Sequence, residues 1–499
     1  MSTGGSGFVL FLSDGRLTCL SVCATLNSFA PRRGDSMRMK RGVIPSMSSH
    51  ARRMTEGPIW KHIVVFALPV FLGSLFQQMY NVVDSLVVGN FLGSEALAAV
   101  GSSSSLIFLL TGLFQGIFIG AGVVVSRYWG AQDDESVSLA VHTSVAFGIL
   151  AGLILTVVGV TCAPVILRWM GTPAEVLPLS LTYFRVSFGG VLSVVMYNTA
   201  NGIFNALGDS RHPLYYLIVS SILNVALDLL FVGWLGFGVA GAAVATVISQ
   251  SVSALLGLYR LSQASEAYRI RPSRIRLNLG MTRQILRMGI PSGVQNSIIS
   301  LANLVVQSHI NAFGALAMAG CGAYTKIEGF GFLPITSFAI AMTTFIGQNL
   351  GAKQYDRAKK GAAFGIVSCM LLAELVGVGI NVFAPRLIGL FDQNPDVIAV
   401  GVTQARTVTL FYFLLACSHG IAGVLRGAGR AIIPMLVMLV CWCLIRVSYI
   451  TIVTPMVGNI QSIFWAYPMT WTLSSICFLV YLFKADWVHA YAKAHPENA

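Results

Sequence analysis

Twelve long apolar runs dominate this sequence and restrict it to one class of protein. Each run approaches the ~20 residues that a helix needs to cross the hydrocarbon core of a bilayer. Only 10% of the 499 residues are charged and 55% are hydrophobic, whereas about 25% of the residues of a soluble domain are charged. The chain is therefore predicted to be an all-α integral membrane protein. The predicted spans are 62–84, 97–125, 139–163, 180–205, 213–235, 238–259, 284–310, 318–347, 361–384, 402–425, 433–455 and 463–483.

The basic residues are unevenly divided between the loops. Loops after odd-numbered spans hold little beyond Arg168 and Arg386. Loops after even-numbered spans hold Arg127, Arg211, seven arginines between 260 and 287, four basic residues between 353 and 360, Arg426 and Arg430. By the positive-inside rule, both termini are expected in the cytoplasm. The same placement accounts for the net charge of +13, so we expect a lipid bilayer around the chain and no nucleic-acid partner.

The nine cysteines give no sign of a metal site or of a disulfide framework. None lies in a CxxC pair, and no histidine stands at ligand spacing near them, so they are interpreted as apolar filler of membrane helices. The sequence also lacks an HExxH motif, a GxSxG motif in a plausible context, and an acid pair with a nearby histidine. We therefore expect no bound metal, no cofactor and no enzymatic activity.

The chain repeats itself. The paired segments are YWGAQDD at 128–134 with NLGAKQY at 349–355, CAPVIL at 162–167 with FAPRLI at 383–388, and GIFNALGDSRHPL at 202–214 with GVLRGAGRAIIPM at 423–435. All three pairs are 221 residues apart, as at Gly208 and Gly429. Each half has six spans, so the second half enters the membrane in the same orientation as the first. Parallel repeats of this kind place a substrate site at the interface of two lobes.

The repeat predicts the division of the chain into domains. The first lobe is predicted at 54–260 and the second at 284–485, joined by a basic cytoplasmic linker at 261–283 and followed by a cytoplasmic tail at 486–499. Residues 1–53 are basic and are expected to be disordered. Met54 opens MTEGPIWKHI, which resembles a natural beginning, so the extension is interpreted as a dispensable tail or a start codon assigned too early.

Four acidic residues lie within the predicted spans, namely Asp84, Asp228, Glu328 and Glu374. An ionised acid at mid-bilayer costs about 2.5–3.5 kcal/mol on insertion scales, so such residues usually face a cavity and mark an ion or proton path. The alternative is an acid at a helix end that reaches water, or one held in a structural hydrogen bond. Function is favoured for Asp84 and Asp228, the two interpretations are balanced for Glu328, and the structural role is favoured for Glu374.

Asp84 belongs to a polar stripe on the first predicted helix. Its members recur every three or four residues, the spacing of one helical face, and are Ser74, Gln77, Gln78, Asn81, Asp84 and Ser85. A similar stripe occurs 222 residues later, where Val306 replaces the acid. Such faces suit the wall of a cavity. The residues predicted to line the substrate cavity are Gln77, Gln78, Tyr80, Asn81, Asn296, Ser300, Asn303, Gln307 and Glu328.

The fifth and sixth predicted helices show the same asymmetry between the halves. Asn224 and Asp228 are four residues apart and so share a helical face, while their counterparts are Ile445 and Tyr449. Thr246 follows in the sixth helix. Oxygen ligands suit a hard monovalent ion, and two neighbouring carboxyl groups suit a shared proton, because burial and like charge both favour the neutral acid. The sequence alone does not show that these helices bring the residues together.

At these residues the sequence resembles the MATE family of multidrug and toxic compound extrusion transporters, and within it the DinF-like and MepA-like bacterial branch. The resemblance rests on ALPVFLGSLFQQMYNVVDSLVVGNFLGSEALAAVG, GIFNALGDSRHPL, LNVALD, GVAGAAVAT and TFIGQNLGAKQYDRAKKG, spread over residues 54–485. It implies twelve helices in two pseudo-symmetric lobes that form a V. It also implies export of organic cations by antiport with H⁺ or Na⁺, without a cofactor, by a monomer in the bacterial cytoplasmic membrane.

The resemblance further assigns an ion-coupling site to the first lobe. In DinF-like relatives this site uses the helix-one Asp, the Asn and Asp of helix five and a helix-six Thr, which here correspond to Asp84, Asn224, Asp228 and Thr246. Other branches use an acid in the second lobe, for which Glu328 is the nearest candidate. A Na⁺ ion at the coupling site is the only metal the resemblance allows.

Two other membrane functions remain open from the sequence. A lipid or lipid-linked oligosaccharide flippase of the same superfamily would need a cationic cavity to bind phosphate, and the interior bases are few, chiefly Arg446 with Arg406 and Arg426. A channel is the other, but duplicated lobes with a one-sided ion site favour alternating access.

Overall fold

The computed structural model describes residues 53–169, 172–173, 175–264 and 267–489, and helices without any strand make up the regular structure of these residues. The predicted extension at 1–53 lies outside the described residues except for Arg53, as do residues 490–499 of the predicted tail.

The first half of the chain contains seven α-helices. They are α1 (Ile59–Leu92), α2 (Ser94–Ala131), α3 (Asp134–Trp169), α4 (Leu177–Gly189), α5 (Val191–Ala206), α6 (Arg211–Asp228) and α7 (Gly238–Ser262), with a π-helical turn at Leu229–Trp234 that extends α6.

The second half contains eight α-helices. They are α8 (Leu279–Asn311), α9 (Ala315–Gly351), α10 (Tyr355–Gly389), α11 (Pro395–Val408), α12 (Tyr412–Gly427), α13 (Ile432–Met438), α14 (Arg446–Val457) and α15 (Gln461–Lys484). A 3₁₀ turn at Thr409–Phe411 joins α11 to α12, and a π-helical turn at Leu439–Ile445 joins α13 to α14.

The helices confirm the predicted twelve-span architecture. Among the described residues, nine helical segments are long and apolar enough to cross a membrane, and the bent pair α4 and α5 makes a tenth. The remaining two spans are α2 and α8, which are long enough at 38 and 33 residues but carry several polar residues. Six spans therefore fall in each half.

One predicted span is not a single helix. The span predicted at 180–205 consists of α4 and α5, which lie on either side of Gly190 and are bent by 48° relative to each other. A methyl group at Gly190 would overlap the side chain of Val247 on α7. The break therefore occurs where the backbone of this span approaches α7 too closely for any side chain.

The backbone itself shows the duplication. Six described residues of the first half lie in the left-handed region, and three of them recur 221 positions later with nearly the same φ angle. The pairs are Gly93 (φ 86°) with Gly314 (94°), Gln132 (61°) with Lys353 (57°), and Gly208 (80°) with Gly429 (78°). Non-glycine residues rarely adopt positive φ, so the pair Gln132 and Lys353 shows that the turn geometry has been retained independently of the side chain.

The two halves meet through α2 and α8, whose backbones are in contact. A methyl group at Gly116 of α2 would overlap the backbone of Gly293 on α8, and one at Gly120 would collide with Gly289. In lipid, helices associate through small residues that let their backbones approach. These glycines therefore hold the two lobes together.

A second set of contacts closes one end of this interface, the end that carries Met54. Gln348 of α9 donates from Nε2 to the Ala206 carbonyl of the first lobe at 2.8 Å and accepts from the Met54 backbone N–H at 2.7 Å. Arg357 of α10 donates to the carbonyl oxygens of Met54, Glu56 and Gly57 at 2.7–3.3 Å. The segment before α1 is thus clamped between the lobes.

The opposite end of the interface is open. Gly93 and Gly101 of the first lobe and Gly314 and Gly322 of the second have no atom within 4 Å of the position that a side chain would occupy. Since the glycines at the Met54 end are in backbone contact, the lobes diverge towards the other end.

Helix α1 packs in both lobes. Its first turns contribute Ile63 and Phe66 to the hydrophobic core of the second lobe, whereas Val87 and Val88 near its other end pack with Val232 in the first lobe. The polar stripe from Gln77 to Asp84 lies between these two regions. Any change in the relative position of the lobes must therefore move or bend α1.

Candidate ion-coupling site

The carboxyl groups of Asp84 on α1 and Asp228 on α6 lie within hydrogen-bonding range of each other. Asp228 is completely buried and Asp84 is half-buried. Two ionised carboxylates repel, and a hydrogen bond between them requires a proton on one of the two. A pair of this kind has the chemistry to hold a proton or another small cation.

Asn224 orients Asp228 from one turn earlier on α6. With its amide nitrogen turned towards the acid, Asn224 donates to Asp228 Oδ2 at 2.7 Å and accepts from the backbone N–H of Thr246 at 3.3 Å. The opposite orientation would place the amide oxygen against the carboxyl oxygen. Asn224 is 1% exposed, so its hydrogen bonds are made without competition from water.

Thr246 on α7 completes the group. Its hydroxyl lies 3.4 Å from the side-chain amide of Asn224 and 3.4 Å from the hydroxyl of Tyr80 on α1. Three helices, α1, α6 and α7, thus contribute to one connected polar cluster. The structure brings together all four residues predicted for the ion-coupling site, together with Tyr80, which had been assigned to the cavity.

The cluster has unused hydrogen-bonding capacity. Among the described residues, Oδ1 of Asp84 and Oδ1 of Asp228 are buried and have no hydrogen-bond partner. A buried unpaired carboxyl oxygen costs about 1–3 kcal/mol or more. A site that leaves two such oxygens unpaired is suited to take up a further proton or cation.

The surroundings of the cluster are apolar and closely packed. Val88, Ala242 and Ala243 are fully buried beside it. The small residues of α7 allow this helix to approach α6. The π-helical turn begins directly after Asp228, and such turns are frequent at functional sites because they alter the direction in which the preceding side chains point.

The polar stripe of α1 continues from this cluster to the interface of the lobes. Gln78 lies against α9, since a methyl group at Gly329 would be 3.3 Å from Gln78 Nε2. Gln77 and Asn81 are exposed, and Ser85 donates to the carbonyl of Asn81 at 2.9 Å. The predicted cavity residues of α1 therefore extend from the acid pair towards the second lobe.

In the part of the chain that the structure describes, the predicted cavity residues of α8 make no hydrogen bond to the acid pair, and two of them are bonded within their own helix. Ser300 donates to the Asn296 carbonyl at 2.9 Å and Gln307 donates to Asn311 at 2.8 Å, so both side chains are bonded within their own helix. Asn296 is half-buried and Asn303 is exposed. The role of this stripe in substrate binding stays a prediction.

Glu328 lies in a separate cluster inside the second lobe. Tyr324, one turn earlier on α9, lies beside it, and the Tyr324 hydroxyl lies 3.1 Å from that of Tyr412 on α12. Arg446 on α14 interacts with Glu328 electrostatically but is not within salt-bridge distance. Glu328 is therefore balanced by a buried positive charge, in contrast to the acid pair of the first lobe.

Arg446 is the residue of this cluster whose contacts the sequence did not reveal. It is 3% exposed, donates from Nε and a terminal nitrogen to Thr470 at 3.1 and 2.8 Å, and packs against the rings of Trp442 and Tyr467. The sequence showed an arginine within a span and Trp442 four residues before it, but gave no sign that Tyr467 and Thr470 of α15 meet it.

A duplicated bundle of twelve helices, with an acid pair in one lobe beside the interface of the two, defines a secondary transporter built from parallel repeats. The chain belongs to the MatE family, whose model matches residues 69–230 and again residues 291–452. The family prediction is thus confirmed, and the two matches coincide with the two halves of the repeat.

Curated relatives and solved structures agree with this assignment. The chain is 28% identical over 394 residues to the probable multidrug resistance protein YoeA of Bacillus subtilis, covering 77% of this chain and 85% of YoeA. It is 28% identical to the probable multidrug resistance protein YpnP of the same species, covering 87% and 97%. An outward-facing structure of a multidrug resistance MATE family transporter superposes with a TM-score of 0.82 at 25% identity, covering 89% of this chain and 99% of that one.

Proposed function

We propose that this protein exports organic, mostly cationic compounds by antiport with protons, using the carboxyl pair Asp84 and Asp228 as the coupling site. The observation that carries the proposal is the adjacent pair of acids Asp84 and Asp228, whose counterparts at the repeat offsets in the second half are Val306 and Tyr449. Relatives described as multidrug resistance proteins support export of small molecules. No bound cofactor and no enzymatic reaction are part of the proposal.

The donor set favours a proton over Na⁺ as the coupling ion. A Na⁺ ion needs several oxygen ligands directed at one point. Here the Asn224 amide nitrogen faces Asp228, and the amide oxygen is occupied by the backbone N–H of Thr246. Asn224 therefore stabilises a carboxylate and does not offer an oxygen to an ion between the acids.

The transport cycle follows from competition for the negative charge of the acid pair. In the present form the lobes diverge at the end opposite Met54, which the positive-inside rule assigns to the outside. A proton that enters there neutralises the pair, and a cationic substrate loses its attraction to the cavity and leaves. The lobes then rock, the proton departs to the cytoplasm, and the next substrate binds.

The available driving force is adequate for this exchange. One charge moving through a potential of ~100 mV gains ~2.3 kcal/mol, and each unit of pH difference adds ~1.4 kcal/mol for a proton. When one proton is exchanged for one monovalent cation the potential term cancels, because no net charge crosses the membrane, so each unit of pH difference concentrates the cation on the outside about tenfold. A second proton per cation would add the potential term.

The second lobe argues against the flippase alternative. A flippase for phosphate-bearing lipids would expose basic side chains in the cavity. Arg446 is instead buried, bonded to Thr470 and packed against Trp442 and Tyr467. Arg446, the chief interior base predicted for the second lobe, thus makes its contacts inside the lobe.

Location and assembly complete the proposal. The chain is placed as a monomer in the bacterial cytoplasmic membrane with both termini inside, based on the distribution of basic loops and on an ion site built within one chain. The domain boundaries predicted from the repeat are retained, with lobes at 54–260 and 284–485.

Ethidium transport in reconstituted vesicles tests the proposal. A pH gradient and a Na⁺ gradient are imposed separately, and ethidium movement is followed by fluorescence. We expect transport with the pH gradient alone and none with the Na⁺ gradient alone. Transport driven only by the Na⁺ gradient would contradict proton coupling. Ethidium movement when neither gradient is imposed would indicate a channel.

A further inference from the structure

The linker between the lobes forms an arginine-lined cavity at the Met54 end of the bundle. This cavity has a volume of about 920 Å³ and is lined by Arg269, Arg271, Arg274 and Arg276 together with the first turns of α3. It is separate from the acid pair and from the interface of the lobes, and the transport cycle does not use it.

The local sequence explains why four arginines converge. The segment Tyr268-Arg269-Ile270-Arg271 alternates apolar and basic residues, and side chains of an extended chain point alternately to opposite sides. Tyr268 and Ile270 are buried, so Arg269 and Arg271 are directed outwards. The 3₁₀ turn Pro272–Arg274 follows, and Arg274 and Arg276 line the same cavity.

The linker is held firmly against the helices. The Arg271 backbone N–H donates to Nε2 of the buried His142 on α3 at 3.0 Å, and Ile270 N–H donates to the Leu261 carbonyl at 3.1 Å. At the far end, Asn278 caps α8 by accepting from Met281 N–H at 2.9 Å. The cavity is therefore a formed site, fixed at both ends of the linker.

The positive charge in the cavity is not neutralised within the part of the chain that the structure describes. None of the four guanidinium groups forms a salt bridge there, although Asp134 and Glu135 lie on the opposite wall. Arg269 donates only to the backbone carbonyl of Ser262, at 3.0 Å. Four positive charges against two negative ones leave an excess that an anion would balance.

The position of the cavity indicates which anion. It lies where α3 begins, α7 ends and α8 begins, which is the level of the lipid headgroups. Leu277 and Leu279 beside it are 45% and 86% exposed. Apolar side chains that project next to a basic cavity at a membrane surface suit acyl chains, and basic pockets at this level bind anionic headgroups.

We propose that this cavity binds the phosphate of an anionic phospholipid, with the arginines on the headgroup and Leu277 and Leu279 in the acyl region. Guanidinium groups bind phosphate through two parallel hydrogen bonds. The bound lipid would add to the hydrogen bonds that already hold the linker against α3.

Native mass spectrometry of the purified protein tests the proposal with phosphatidylglycerol as the anionic lipid. Phosphatidylcholine serves as the zwitterionic control lipid, and inorganic phosphate serves as a soluble competitor for the phosphate site. The test variant carries Arg269→Gln, Arg274→Gln and Arg276→Gln. The control variant carries Lys353→Gln, Lys359→Gln and Lys360→Gln, which removes three exposed charges from another loop. Ethidium binding of each variant verifies folding.

We expect wild-type protein and the control variant to retain phosphatidylglycerol, and the test variant to lose affinity about tenfold or more, because each basic residue near an anionic surface contributes substantially. Phosphatidylcholine should bind weakly to all three. Equal retention in both variants would overturn the proposal. Displacement of the lipid by millimolar inorganic phosphate would overturn the assignment to a lipid and indicate a soluble phosphate ligand. If the glutamine variant does not fold, the corresponding lysine variant, which keeps the charges, must still bind the lipid.

Discussion

At the scale of single residues, the account depends on a contrast between two buried charge clusters. The first lobe contains two acids without a buried base beside them, whereas the second contains Glu328 with Arg446 nearby. The cluster of the first lobe can therefore change its charge when a proton binds. That of the second lobe is already balanced, so its members are expected to contribute to stability.

Asp84→Asn should fold and should bind substrate weakly, but it should abolish gradient-driven transport. The amide keeps the size of the side chain and can hydrogen-bond to Asp228, yet it cannot release a proton. Ethidium efflux from vesicles with an imposed pH gradient measures this effect. Glu374→Gln is the matched control, because Glu374 is also an acid within a span and its carboxyl accepts from the Phe413 backbone N–H at 3.1 Å, a bond that glutamine can replace. Transport by the Asp84 variant at the wild-type rate would refute the assignment.

Arg446→Met should destabilise the protein by about 1.5–3 kcal/mol, because it removes the charged hydrogen bonds to Thr470 and the electrostatic interaction with Glu328. Glu328→Gln in the same chain should restore part of the loss. Thermal unfolding of the two single variants and the double variant measures the coupling. Additive losses in the double variant would show that the two charges do not interact.

At the scale of elements, the lobes are joined by backbone contact at one end and diverge at the other. Gly116→Ala should destabilise the contact between α2 and α8, since a methyl group would overlap the backbone of Gly293, and overpacking of this kind costs about 1–3 kcal/mol. Gly322→Ala on α9 is the control, because its side-chain position is open and alanine favours the helix by about 0.5–1 kcal/mol. The unfolding temperature should fall for the first variant and stay the same or rise for the second. A fall of equal size in both would show that the contact is not specific.

Gln348→Met should favour opening of the Met54 end. The substitution removes the hydrogen bonds to Ala206 and to Met54, which connect the second lobe to the first lobe and to the segment before α1. Spin labels on the two lobes near this end, measured by electron–electron double resonance, should show a population with a longer distance. Gln295→Met, also at a buried glutamine but with its nitrogen directed at Met438 of the same lobe, should leave the distances unchanged. Unchanged distances in both variants would mean that the clamp does not hold this end closed.

At the scale of the whole molecule, the sequence predicted the architecture because the constraints of a bilayer are strong. Spans had to be about 20 residues long, and the offset of 221 residues required two equivalent halves. The sequence also selected Asp84, Asn224, Asp228 and Thr246, although it could not show that α1, α6 and α7 meet. It could not predict the break at Gly190, since this depends on the distance to α7.

The remaining features depend on contacts between distant segments, and no local pattern encodes them. The clamp of Gln348 and Arg357 on the Met54 segment joins residues about 300 positions apart. Around Arg446, Tyr467 and Thr470 come from the distant α15, whereas Trp442 lies four residues earlier in the same span. By contrast, the alternation of apolar and basic residues from Tyr268 to Arg271 was visible in the sequence, and its meaning became clear only once the cavity was located.

The most direct test of the central claim is the release of protons when a cationic substrate binds. Purified protein in weakly buffered detergent solution is mixed with ethidium, and the pH change is recorded against the amount bound. If the acid pair exchanges a proton for the substrate, linkage requires wild-type protein to release up to about one proton per bound cation. The double variant that carries Asp84→Asn and Asp228→Asn should release none. Release of the same number of protons by the double variant would place the exchange at another site and contradict the account.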